Sequence, residues 1–117
     1  MYFASRILID GKKIKYHYDN VGIFTPKDLS VNFDVLPLGS PLKLCLEPEN
    51  QYDPTAVAIY LSSVKIGYFY KDKIKDMVND YLESQLPIYA HACKVDPDEK
   101  KIWLFVAFYG SRSRAPS

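Results

Sequence analysis

Apolar and polar residues alternate along much of the chain at the two-residue period of a half-buried strand. The cleanest example is PLKLCLE, where Leu42, Leu44 and Leu46 point one way and Lys43, Cys45 and Glu47 the other. TAVAIYL and VKIGYFY continue in the same manner, with Ser62-Ser63 as the turn between them. Two β-prone runs, Tyr2 to Ile9 and Lys12 to Tyr18, meet at Asp10-Gly11, a strong hairpin signal because both central residues of such a turn take positive φ. The region DNVGIFTPKDLSVNFDVLPLGSP carries three prolines and two glycines, and reads as loop with one short strand around Val31 to Val35.

The period then changes. In KDKIKDMVNDYLESQ the apolar residues Ile74, Met77, Val78, Tyr81 and Leu82 follow helical spacing, which predicts an amphipathic helix ended near Pro87. Asp72, Asp76 and Asp80 recur on its polar side as a solvated face. Two last strands, IYAHACKV and KIWLFVAFY, are linked by a DPDEK turn, with Trp103 expected in the core. Residues 1–110 read as one domain and 111–117, GSRSRAPS in sequence from Gly110, as a flexible tail. About six strands and one or two helices give a mostly β domain. We expect a small open antiparallel barrel resembling the oligonucleotide-binding fold, since barrel closure removes exposed edges.

Between the strands of the central hairpin stands EPENQYDP, with two prolines, three carboxylates, two amides and a tyrosine. A hairpin closes with about two to five residues. The surplus raises the question of what this loop carries.

Composition narrows the answer. The net charge is +1, so no whole-protein field draws the chain to nucleic acid or to an anionic membrane. No apolar run approaches the ~20 residues needed to span a bilayer, and the N-terminus lacks the pattern of a signal peptide. Cys45 and Cys93 are expected as free thiols in a cytoplasmic protein. His17, His91 and the two cysteines show none of the close paired spacings of a zinc site, so no metal or other cofactor is expected. No nucleophile motif or phosphate-cradling glycine loop is present, so the chain reads as a binding module rather than an enzyme. Ten tyrosines and six phenylalanines exceed what a β-rich core of this size needs, and tyrosines suit flat, stackable ligands.

The segment LCLEPENQYDPTAVAIYLSSVKIGYFYKDKIKDMV resembles the centre of a HIRAN domain. The matching residues are Glu47, Pro48, Asn50, Tyr52, Asp53, Pro54, Ala56 and Val57, then Ile66, Gly67 and Tyr68, and the likeness covers at least residues 42 to 82. The resemblance implies a modified oligonucleotide-binding barrel that captures the free 3′ end of single-stranded DNA, as in helicase-like transcription factors. It implies Tyr52 as a platform near the terminal base, Asp53 facing the 3′-hydroxyl, and Asn50 in the same binding set. It also implies an aromatic pair from the preceding strand, for which KYHYDN offers His17 and Tyr18, a histidine standing where one tyrosine is expected. Lys71 or Lys73 would meet phosphate. The implied partners are a single-stranded DNA end and a repair or replication protein.

The chemistry is reasonable without the family. A 3′-hydroxyl donates a hydrogen bond and an ionised carboxylate only accepts, whereas a 3′-phosphate at the same spot would set like charges together. An aromatic ring stacks on any base for about 1–3 kcal/mol without choosing sequence. Asn50 and Asp53 also have a structural reading, as turn formers whose side chains bond nearby backbone. The competing functional reading is a protein-interaction module on the same barrel.

Overall fold

A computed structural model describes residues 14–110. The expected hairpin at Asp10-Gly11 and the tail at 111–117 lie outside the described residues. The strands are β1 (Ile14–Phe24), β2 (Lys43–Leu46), β3 (Val57–Leu61), β4 (Val64–Phe69), β5 (Ile88–Asp96) and β6 (Lys101–Tyr109), with one helix, α1 (Lys73–Glu83). They form a single antiparallel sheet in the order β2-β3-β4-β1-β6-β5. The sheet curls until its outer strands approach. Pro41 bridges His91, Leu42 N donates to Ala90 O at 2.9 Å, and Gly39 N donates to Ala92 O at 3.0 Å. The protein is therefore mostly β, a small barrel of the expected kind.

Alternation fills the interior. Leu44, Val57, Ile59, Ile66, Ile102, Leu104, Val106 and Phe108 are buried in one core, and α1 adds Val78 and Leu82 to it. The helix starts where Asp72 Oδ1 accepts from Ile74 N at 2.9 Å and Lys75 N at 3.1 Å, an N-cap that satisfies two otherwise orphan donors. It stops in a Schellman turn: Gln85 takes φ 57°, Leu86 N donates to Tyr81 O, and Gln85 N donates to Leu82 O.

Three expectations are corrected. β1 continues through DNVGIF to Phe24, because a bulge at Asn20, φ 54°, absorbs the turn-like residues without ending the strand. The region around Val31 to Val35 holds a 3₁₀ turn, Phe33–Val35, in place of a strand. Its cause is local, since Asn32 Oδ1 accepts from Asp34 N at 3.2 Å. Trp103 is half-exposed rather than core, with Lys94 Nζ 4.8 Å from its ring centroid. Cys45 and Cys93 are both free, and burial pushes the Cys45 thiol up. No helix among the described residues is long and apolar enough to cross a membrane.

Candidate functional site

β2 and β3 pair directly, Leu46 opposite Val57, and Glu47 N donates to Ala56 O at 3.1 Å. Residues 48–55 are therefore surplus to the hairpin, and the loop they form is bonded to itself. Asn50 is its hub. Its Oδ1 accepts from Tyr52 N at 2.8 Å and Asp53 N at 3.0 Å, while its Nδ2 donates to Glu47 Oε1 at 3.1 Å. Asn50 N donates to Glu47 O and Ala56 N to Asp53 O.

Two ion pairs pin this loop to the barrel. At its start, Lys65 Nζ meets Glu47 Oε2 at 2.7 Å and donates to Tyr68 Oη, which in turn donates to Glu47 Oε1 at 2.9 Å. Burial works against the Glu47 charge, but the bonds from Lys65, Asn50 and Tyr68 outweigh it and hold the carboxyl below its usual range. Glu47 and then Tyr68 raise the Lys65 ammonium in return. At the far end, Asp53 Oδ2 accepts from Lys75 Nζ at 2.7 Å, and Oδ1 accepts from Thr55 N at 2.9 Å and Thr55 Oγ1 at 2.6 Å. Lys75, then Thr55, hold the Asp53 carboxyl well below the ordinary carboxylate range. Asn79 Nδ2 also reaches from α1 to Thr55 O at 3.0 Å.

What the pinned loop displays is Tyr52, 91% exposed at its tip. Beside it lies a groove of about 900 Å³ lined by the loop, by the end of β1 and by the residues leading into α1. Phe24 and Tyr70 stand in its wall at 5.0 Å between centroids, and Phe24 stacks on Tyr68 at 5.7 Å and 25°. The end of β1 is fixed there by its pairing, Phe24 opposite Tyr68, and by Thr25 Oγ1 donating to Ile66 O at 2.7 Å. Gly67 permits this approach, since a methyl group there would stand 2.5 Å from Phe24 O. Charge in the groove is mixed. Asp28, Glu49 and Asp53 line it, with Lys71 as the cation among the described lining residues.

Of the residues expected from sequence, Asn50, Tyr52, Asp53 and Lys71 share this groove. Lys73 opens α1 and is exposed, but does not line it. The structure does not bring His17 and Tyr18 to this groove. They sit about 20 Å of extended strand away from Phe24, at ~3.3 Å per residue, and neither lines the groove. His17 packs on Phe105 at 5.7 Å, and Tyr18 donates to Met77 Sδ at 3.6 Å with its ring edge-on to Phe108. Phe24 lines it instead, because the strand runs on to the groove. Sequence reasoning also missed Tyr70, Asp28, Glu49 and Lys75. Lys75 left a trace, as a charge on the apolar side of α1, three residues before Val78 and seven before Leu82.

No family model matches the chain, and no curated protein matches it. Among solved structures, a structural-genomics protein from Lactobacillus plantarum is similar at TM-score 0.64 and 18% identity, over 84% of this chain and 99% of that one. At that identity the likeness shows the shared fold alone.

Proposed function

We propose that the groove holds the 3′-hydroxyl end of single-stranded nucleic acid, DNA first, as a non-catalytic module in repair or replication. One observation carries this reading: Tyr52 is displayed in full on a loop otherwise bonded to itself, beside Asp53 and a groove whose wall holds the rings of Phe24 and Tyr70. A solvent-exposed ring adds nothing to the core, and stacking on a base is its natural use. Asp53 supplies the end selection. A carboxylate offers about four acceptor positions. Thr55 and Lys75 take three, leaving one on Oδ2 for a single hydroxyl donor. Lys71 on the rim suits the one phosphate that leads away. The HIRAN resemblance in residues 42 to 82 points the same way.

The test is fluorescence anisotropy with a short oligonucleotide ending in a 3′-hydroxyl or a 3′-phosphate. Binding of the hydroxyl end, weakened by Tyr52→Ala, supports the reading; equal binding of both ends contradicts the role of Asp53. The three carboxylates that, among the described residues, line the groove beside a single lysine, Lys71, favour a second reading, a protein-interaction groove taking a cationic side chain over its tyrosines. An arginine-rich peptide that binds where neither oligonucleotide does would select it.

A further inference from the structure

Lys75 enters the reading above only as one of the donors to Asp53. Only 3% of it is exposed, on the same side of α1 as Val78 and Leu82. Lysine is rarely buried so fully, and a purely apolar side chain often fills such a position at lower free energy. Its ammonium is turned to the loop, 2.7 Å from Asp53 Oδ2 and 2.7 Å from Thr55 Oγ1. Thr55 Oγ1 passes its own proton to Asp53 Oδ1 at 2.6 Å. The carboxylate is thus gripped on both oxygens, its plane fixed by a cation it cannot swing away from.

We propose that Lys75 is a positioning residue that sets the ligand preference of the groove, fixing Asp53 as a permanent acceptor so that hydroxyl-bearing ends are taken at acidic as well as neutral pH. This rests on the groove being an end-binding site. The charged and titratable groups around Asp53 come from every element that packs there: Lys75 from α1, Asp28 after β1, Glu49 in the loop, and Tyr68, Tyr70 and Lys71 from the end of β4 and beyond. Asp28 and Glu49 line the same groove. Among these groups Lys75 is the cation in direct contact, and with Thr55 it keeps the carboxyl ionised well below its usual range.

The experiment follows two readouts in wild type, Lys75→Met and Lys75→Arg. One is the affinity of a short labelled oligothymidylate with a 3′-hydroxyl between pH 3 and 7.5. The other is the titration of the Asp53 carboxyl carbon by NMR. Wild type is expected to hold its affinity across the range while the Asp53 carbon stays ionised throughout. In Lys75→Met the carbon titrates closer to the ordinary carboxylate range, inside the window measured, and below that point affinity falls with pH by up to about tenfold per unit, the limit for one linked proton. Lys75→Arg restores the flat profile. A folded Lys75→Met with an unchanged pH profile overturns the proposal, because a purely structural lysine weakens binding equally at every pH. If wild type binds no oligonucleotide, the end-binding reading fails by itself. The NMR titration then decides on Lys75, as it does if Lys75→Met fails to fold: an Asp53 carbon titrating at an ordinary carboxylate value in wild type overturns the proposal.

Discussion

Two long connections in this protein solve different problems. Residues 25–42 run from β1 to β2, which lie three places apart in the sheet with β4 and β3 between them. The length of that segment is spent on the crossing, and on the way Gly39, Pro41 and Leu42 join β5 and close the barrel. Residues 48–55 connect β2 to its immediate neighbour β3, where Ser62-Ser63 suffices for the next hairpin. Here the length has no topological use. It is nonetheless the more heavily bonded loop, held by Asn50 within and by Lys65 and Lys75 from outside. The crossing segment leaves Val35 and Leu38 exposed with no comparable scaffold around them. Length demanded by topology explains itself, whereas surplus length with a rigid frame points to a displayed group, and here that group is Tyr52.

The comparison breaks hardest if the surplus is removed. Replacing residues 48–55 by an Asn-Gly turn should leave a folded barrel, seen by circular dichroism, that has lost all oligonucleotide binding. Retained binding would show that the loop is not the site. Next comes Gly67→Ala, expected to cost about 1–3 kcal/mol in denaturant unfolding because the methyl group collides with the backbone at Phe24. The same substitution should weaken binding by moving Phe24 in the groove wall. Tyr52→Ala should cost about 1–3 kcal/mol of oligonucleotide affinity, one lost stack, yet change stability by less than about 0.5 kcal/mol. Leu38→Ser, in the crossing segment, should change neither quantity measurably.

Acid unfolding sharpens the same contrast. Asp53 and Glu47 have folded pKa values below their unfolded ones, held down by Lys75 and Lys65 together with neighbouring hydrogen bonds. Between the two values the unfolded chain binds more protons, so their contribution is complete above about pH 5 and is lost as pH falls through 4 and below. Thermal midpoints should therefore drop on that side, and Asn50→Ala, which takes one donor from Glu47 Oε1, should lower the midpoint at neutral pH and make the acid drop shallower.

The strand alternation and the period of α1 made the β class, the helix and the central hairpin legible from sequence, whereas Asn50, Tyr52, Asp53 and Lys71, which line one groove, were picked out by the HIRAN resemblance. What escaped depends on tertiary pairing. Phe24 enters the groove because β1 runs past a bulge and pairs with β4, and nothing local in DNVGIF announces that. His17 and Tyr18 were attractive as neighbouring aromatic side chains, but strand alternation sends them to opposite faces, far from the loop. Lys75 was visible as a charge on an apolar helix face, and its partner could be named only once the loop was seen folded against α1.

The most direct test of the central claim is the anisotropy of a short oligonucleotide with a 3′-hydroxyl, measured against its 3′-phosphate counterpart, on wild type and Tyr52→Ala. The account predicts that wild type binds the hydroxyl end in preference to the phosphate end, and that Tyr52→Ala loses affinity without losing stability. Equal binding of the two ends, or affinity indifferent to Tyr52, would contradict it.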